Sequence, residues 1–185
     1  MRRRGVLAAI AGTVVLVAWG MIFWGFLAAP LGAFRALPDD DAVTRALIES
    51  NVRTGTYFMP WPRDTREAFD AFVAQHRSGP FYRLSHVREG VDPNSPGKLL
   101  LGTAHYATVA ILAALLCAIA AGASFGRRFA VVFLGGLIGT DLITIGDPVW
   151  FHMPWDYTRA VIVYEITCWI LLAAVVAWLI RPRPP

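Results

Sequence analysis

The chain has 185 residues, of which 56% are hydrophobic and only 16% are charged, and its mean hydropathy is +0.51. Soluble domains usually contain about 45–50% apolar and about 25% charged residues, so this composition excludes an ordinary soluble domain and indicates that lipid surrounds much of the chain. The formal net charge of +4 comes from arginines that flank apolar runs, which indicates lipid headgroups rather than a nucleic acid as the partner.

The first predicted element is an apolar run over residues 6–29. A helix needs about 20 residues to cross a hydrocarbon core about 30 Å thick, and this run is long enough. A cleaved signal peptide is the alternative, but its apolar region would be about 7–15 residues long. Pro30 also follows Ala28 and Ala29 directly, which makes a poor cleavage site. We therefore interpret the run as a retained transmembrane helix.

The segment 31–98 is patterned as a small α/β unit. The acidic residues Asp39 to Asp41 predict a helix start, and residues 56–59 predict a strand that ends at Pro60. Asp64 and Glu67 have the spacing of a capping box and predict a second helix, which Gly79 and Pro80 end. Residues 81–87 predict a second strand. Since the unit has about 60 residues and no disulfide, we expect it to need the bilayer or a partner.

Three further apolar runs follow at residues 99–123, 129–145 and 160–180, and the middle one reaches spanning length when it is extended to Asp147. Residues 147–157 then form the predicted connection to the last run. Gly135 and Gly139 have the small-xxx-small spacing that lets helices pack closely. The predicted fold is an all-α membrane protein, a four-transmembrane-helix bundle with a small α/β extracytoplasmic cap between helices 1 and 2. Its predicted segments are 1–30, 31–98 and 99–185.

The basic residues at the ends of the runs predict the orientation of the chain. Three short segments at these ends hold seven arginines and no acidic residue. The arginines are Arg2, Arg3, Arg4, Arg127, Arg128, Arg181 and Arg183. Because loops longer than about 60 residues do not affect the positive-inside rule, we expect both termini in the cytoplasm. Aromatic residues mark the expected membrane interfaces, namely Trp24, Trp150, Trp155 and Tyr157 on the outer side and Trp178 on the inner side.

Three ionisable residues inside the predicted spans are the candidate site: His105, Asp141 and Glu165. Each lies roughly 9–10 Å inside the outer boundary at 1.5 Å per residue, so they could form one cluster. Hydrogen bonding that holds the helices together is the favoured reading, since charge near a membrane boundary costs less than charge at its centre. A proton-binding or ligand-binding site is the second reading, because intramembrane charge is often functional. A metal site is the third, since these residue types can bind zinc or manganese.

No motif in the chain indicates a reaction or a cofactor. There is no Cys-x-x-Cys, G-x-S-x-G, H-E-x-x-H, Walker A or Rossmann glycine pattern. Cys117 and Cys168 both fall inside predicted spans. We therefore expect no catalytic residue, no cofactor and no bound metal, which favours a protein that is not an enzyme. A membrane enzyme that acts on lipid, with His105, Asp141 and Glu165 as acid and base, stays open as an alternative.

Four short patterns support a resemblance. These are Trp24 to Pro30 closing the first span, Gly55-x-Tyr57-x-x-Pro60, Gly79-Pro80, and Trp150-x-x-x-Pro154 before the last span. In this order the chain resembles a family of hypothetical bacterial four-span inner-membrane proteins with no known activity. The resemblance implies a bacterial inner membrane and carries no site residues.

Two functions that involve no catalysis also remain open from the sequence. The first is an accessory or structural protein that binds a membrane or periplasmic partner, which the small size and the lack of catalytic motifs favour. The alternative is a small oligomeric proton-coupled transporter or ligand-binding membrane protein that uses Asp141, Glu165 and His105. Both readings require a protein partner or a homo-oligomer in addition to the lipid bilayer.

Overall fold

The computed structural model describes residues 2–61 and 65–181, which form two compact units. Within these residues the membrane unit comprises 2–35 and 94–181, and the loop unit comprises 36–61 and 65–93. In chain order the elements are α1 (Arg2–Ile22), a π-helical turn (Phe23–Leu27), α2 (Asp40–Glu49), β1 (Gly55–Met59), α3 (Arg66–Ser78), β2 (Tyr82–His86), α4 (Pro96–Ile119), α5 (Phe125–Thr140), a second π-helical turn (Asp141–Ile145), α6 (Gly146–Phe151) and α7 (Trp155–Leu179).

Four helical segments are long and apolar enough to cross a membrane, which confirms the prediction of four spans. They are Arg3–Leu27, Pro96–Ile119, Phe125–Phe151 and Trp155–Leu179. We call the end of the membrane unit at which α1 finishes and α4 and α7 begin the distal end. The opposite end, where Arg3, Arg4, Arg127, Arg128 and Arg181 lie, is the arginine end.

The connection predicted over residues 147–157 is wrong in its extent. The third span continues through the π-helical turn and α6 to Phe151, so that just three residues separate it from α7. Pro148 lies inside this continuous helix, three residues after the π-helical turn, and does not end it. The helix ends at His152, which has a left-handed backbone with φ of 53°.

Small residues allow the spans of the membrane unit to pack closely. Helix α1 packs against α4 and α7, and α5 packs mainly against α7. A Cβ atom on Gly12 of α1 would lie 2.7 Å from Leu172 and 3.1 Å from Ala110, so these helices touch near their backbones. The close approach replaces the hydrophobic driving force, which is absent between helices in lipid.

One row of residues turns α5 toward α7. Every fourth residue of the third span is buried: Arg128, Val132, Gly136, Thr140, Thr144 and Pro148. A Cβ atom on Gly136 would lie 2.0 Å from the Trp169 ring of α7, so the ring lies against the bare backbone. The predicted glycine pair behaves differently, because Gly135 faces Leu116 of α4 whereas a Cβ on Gly139 would have no neighbour within 4 Å.

The loop unit has the elements that the sequence predicts. Strands β1 and β2 pair antiparallel, with Tyr57 opposite Leu84. Asp39 caps α2 by accepting a hydrogen bond from the Ala42 amide. The predicted cap of α3, Asp64, lies outside the described residues, and Thr65 is the N-cap of that helix.

The loop unit has little core of its own. In its described residues, 36–61 and 65–93, none is buried. The aromatic contacts are few and centre on His76, whose ring lies 5.3 Å from Phe72 and 5.1 Å from Phe81. Outside this cluster the Thr54 hydroxyl donates a 2.6 Å hydrogen bond to Glu89, which lowers the pKa of that carboxyl. A unit with so little burial is marginally stable by itself.

Candidate functional site

Glu165 is the predicted site residue that the structure places inside the bundle. It lies half-buried on α7 and faces the Thr144 hydroxyl, which is 2.9 Å from Oε1 and 2.8 Å from Oε2. A hydroxyl carries one proton, so Thr144 donates to one carboxyl oxygen at a time. Thr144 belongs to the second π-helical turn, and such turns in helices are frequent at functional sites.

Asp141 and His105 lie elsewhere. Both are exposed, Asp141 as the first residue of the second π-helical turn and His105 on α4 beside the Tyr106 ring. Within residues 2–61 and 65–181, no hydrogen bond or ion pair joins His105, Asp141 and Glu165 to one another. Glu165 therefore lies within the helix bundle, whereas His105 and Asp141 lie on its surface.

Tyrosine, tryptophan and threonine side chains accompany Glu165 instead. The hydroxyls of Tyr106 and Tyr164 lie 2.5 Å apart between α4 and α7. Trp19 of α1 donates its ring N–H to the Thr167 hydroxyl at 2.9 Å. We call these two pairs, together with Thr144 and Glu165, the polar layer. It joins all four spans by hydrogen bonds.

Gly20 makes room for the polar layer. A Cβ atom at this position would lie 2.7 Å from the Tyr106 hydroxyl and 3.4 Å from that of Tyr164. The tyrosine pair therefore fits against the bare backbone of α1. The sequence signal that would have found this layer is the density of hydroxyl and indole groups inside otherwise apolar runs.

Thr140 lies one turn from Thr144 on the buried face of α5. Its hydroxyl is buried and has no hydrogen-bond partner in the part of the chain that the structure describes. Other threonines of the spans bond to the carbonyl four residues earlier, as Thr103 does to Leu99 and Thr108 to Ala104. Buried hydroxyls are usually paired, so the Thr140 hydroxyl, one helical turn from Thr144, is a group that a bound ligand could satisfy.

The polar layer can hold a proton or a small oxygen-binding ligand. A carboxyl with hydroxyl neighbours offers hard oxygen ligands, which suit protons, hydroxyl groups and hard cations. Across the described residues, no group of three or more His, Cys, Asp and Glu side chains could hold a metal ion. Glu165 and Thr144 are therefore the candidate groups for binding a proton or a hydroxyl-bearing ligand.

The predicted interface aromatics divide into two groups. Trp150, Trp155 and Trp178 are exposed, and Trp178 also lies under the Arg181 guanidinium at 4.9 Å. Trp24 and Tyr157 pack instead in an aromatic cluster at the distal end. Their rings lie 6.0 Å and 6.1 Å from that of Phe34.

Removing the partner of Glu165 tests the polar layer. We expect Thr144→Val to lower the free energy of unfolding by about 1 kcal/mol, because the half-buried Glu165 carboxyl loses its hydrogen-bond donor while the side-chain shape is kept. The measurement is the thermal midpoint of the detergent-solubilised protein. Thr108→Val is the matched control, since that exposed hydroxyl bonds to its own helix. Equal midpoints for the two variants would contradict the prediction.

No family model, curated protein or solved structure matches the chain, so the site stands on its geometry.

Proposed function

We propose that this chain is an accessory or structural protein of a bacterial inner-membrane complex, which it joins through the surface of its spans. The observation that carries the proposal is the exposure of Asp141 on the third span. The residue lies ten positions before Phe151, which is about 15 Å from that end of the helix. A carboxylate facing lipid at such depth costs about 2.5 kcal/mol or more. A partner that supplies a hydrogen-bond donor removes this cost.

The loop unit supports the same proposal. Because none of its described residues is buried, its helices and strands gain little from packing on each other. Exposed aromatic side chains, such as Trp61 and Tyr82, are the residue types enriched at protein interfaces. In the proposed function, this unit lies on the periplasmic side and binds part of the complex there.

The proposed orientation has both termini in the cytoplasm. Arg3, Arg4, Arg127 and Arg181 lie at the arginine end together with the buried Arg128. Arg4 donates a hydrogen bond of 3.1 Å to the Arg181 carbonyl, and the even number of spans brings both residues to this end of the membrane unit. A basic cluster of this kind favours the cytoplasmic leaflet with its anionic lipids.

A second candidate function is oligomeric proton-coupled transport or ligand binding. The contact between Thr144 and Glu165, with the unpaired Thr140 hydroxyl one turn away, favours it. The two candidates depend on different carboxyls. Complex formation depends on Asp141 at the surface, whereas proton or ligand binding depends on Glu165 in the polar layer.

The test compares Asp141→Leu with Glu165→Gln by native mass spectrometry of protein gently extracted from its own membranes. We expect Asp141→Leu to fold, since leucine tolerates lipid, but to lose its bound polypeptide roughly tenfold, which corresponds to about 1.4 kcal/mol. Glu165→Gln is the control and keeps the complex, since glutamine still accepts the Thr144 hydrogen bond. A wild-type protein that is extracted alone, or an Asp141→Leu variant that keeps its partner, contradicts the proposal.

A further inference from the structure

Two arginines from opposite ends of the chain meet beside an exposed tryptophan at the arginine end. Nη1 of Arg4 lies 3.1 Å from the Arg181 carbonyl, to which it donates a hydrogen bond. Nε of Arg181 donates a 2.9 Å hydrogen bond to the Trp178 carbonyl, and the guanidinium lies 4.9 Å above the centre of the Trp178 ring. All three side chains are exposed. We call Arg4, Trp178 and Arg181 the two-arginine patch.

The packing of α1 on α7 holds this patch together. Ala8 of α1 is fully buried and belongs to the same core cluster as Ala177 and Ile180 at the end of α7. Arg4 lies one turn before Ala8, on the same face of α1. The tight contact at Ala8 therefore carries Arg4 to the end of α7, so that the two guanidiniums are positioned before any ligand binds.

The membrane unit supplies no carboxylate for these two positive charges. Within residues 2–35 and 94–181 its acidic residues are Asp141, Asp147, Asp156 and Glu165, all in the half toward the distal end. On α7, Glu165 precedes Arg181 by sixteen residues, which is about 24 Å at the helical rise. The screening length at physiological salt is about 8 Å, so a carboxylate at that distance offsets little of the charge. An anion from outside the chain would reduce the repulsion between Arg4 and Arg181.

Most of the N–H groups of the patch are not used within the chain. A structural role accounts for one N–H of each arginine, which bonds a carbonyl at or just beyond the C-terminal end of α7. A guanidinium carries five N–H groups. Stacking on Trp178 occupies one face of the Arg181 guanidinium and leaves its Nη edge open. Such an edge matches two oxygens of a phosphate group and binds them together.

We propose that the two-arginine patch binds the phosphate of an anionic phospholipid, whose acyl chain lies along Trp178 and Leu171. Arg4 is the second residue of the first span, and Arg181 lies two residues after the fourth span ends at Leu179, so both are at the depth of the headgroups. Leu171 is two turns from Trp178 on the same face of α7, and both are exposed. One lipid thus contacts the arginines with its headgroup and the apolar side chains with its tail.

Two other anion effects would use the same arginines differently. A dissolved phosphate ion would bind the guanidiniums but gain nothing from Trp178 and Leu171. A diffuse attraction to an anionic leaflet would depend on how many arginines lie at this end, whichever they are. Arg127 distinguishes these cases, since it is exposed at the same end and no hydrogen bond in the described residues joins its side chain to the patch.

Lipid binding to the purified chain tests the proposal. The protein is freed of lipid in a nonionic detergent at about 0.15 M salt, titrated with phosphatidylglycerol or phosphatidylcholine, and examined by native mass spectrometry. We expect one phosphatidylglycerol to bind at least about tenfold more tightly than phosphatidylcholine, because each arginine near the lipid surface adds to the attraction. Arg181→Gln should weaken phosphatidylglycerol about fivefold. Arg127→Gln removes the same charge and should leave the affinity near that of the wild type.

A substitution that keeps the net charge gives the sharper comparison. Trp178→Leu removes the ring under Arg181, and we expect it to weaken phosphatidylglycerol about threefold. Trp150→Leu is the matched control, since it makes the same change at an exposed tryptophan of the distal end and should leave the affinity unchanged. All four substituted side chains are exposed, and gel filtration of each variant checks that it folds.

Each outcome supports or overturns the lipid site. Tight binding of one phosphatidylglycerol that Arg181→Gln and Trp178→Leu both weaken, with both controls unchanged, supports it. Equal affinities for the two lipids overturn it, and so does an equal loss in Arg127→Gln and Arg181→Gln, which would indicate diffuse attraction. An equal loss in the two tryptophan variants also overturns it. Displacement of the lipid by an excess of inorganic phosphate would show that the patch binds a free anion and would overturn the assignment to a lipid headgroup.

Discussion

Gly136→Ala is expected to prevent stable folding of the membrane unit. The new Cβ atom would lie 2.0 Å from Cδ2, 2.4 Å from Cγ and 2.5 Å from Cε2 of Trp169. These are rigid indole atoms, so the ring or the whole of α7 must move. Overpacking of this kind costs about 3 kcal/mol or more when no rotamer relieves it. The measurement is the yield of monodisperse protein after detergent extraction, together with its thermal midpoint.

Gly139→Ala is the matched control for this prediction. It makes the same chemical change one turn later on α5, where a Cβ meets nothing within 4 Å. Alanine also has a better helix propensity than glycine by about 1 kcal/mol, so we expect this variant to be as stable as the wild type or more stable. The double variant Gly136→Ala with Trp169→Leu should recover part of the lost stability. Equal midpoints for the two alanine variants would show that Trp169 does not lie against Gly136.

Arg128→Leu is expected to destabilise the arginine end by about 2–3 kcal/mol, in line with hydrogen bonds to charged groups. Arg128 is just 4% exposed. Its Nε donates a 3.1 Å hydrogen bond to the Ala177 carbonyl, and its Nη1 donates to that of Ala123. These carbonyls lie near the ends of α7 and α4, where the helix itself supplies no partner. A cation there also interacts favourably with the helix dipoles.

Arg127→Leu provides the comparison for Arg128→Leu. Arg127 is the neighbouring residue on α5 and is exposed. Each substitution removes one positive charge from the same end of the chain, so any effect on insertion through the positive-inside rule is shared. The thermal midpoint in detergent should fall for Arg128→Leu and stay near that of the wild type for Arg127→Leu. A similar fall for both would mean that charge at this end matters rather than the buried hydrogen bonds.

The sequence by itself determined the number of spans and the order of elements in the loop unit. The length of an apolar run and the thickness of a bilayer decide whether a helix can span, and neither depends on the neighbours of that helix. Caps and turns are equally local, which is why the start of α2 at Asp40 and the end of α3 before Gly79 could be predicted. The third span was predicted too short because the apolar run ends at Asp147 and Pro148, whereas α6 continues the helix to Phe151.

The tertiary structure decided which face of each helix is buried in the bundle. In a soluble helix, polar residues mark the outer face, but in a span both the lipid-facing and the protein-facing sides are apolar, so the sequence carries little rotational signal. The sequence therefore predicted the depth of Glu165 in the membrane. It could not predict that the partner of Glu165 is Thr144 and not Asp141. The glycine of α5 with the closest contact likewise proved to be Gly136, which the predicted pair of Gly135 and Gly139 does not include. Only the packing of α5 on α7 turns Thr144 and Gly136 inward and leaves Asp141 exposed, because close approach of backbones, and not hydrophobicity, chooses the face.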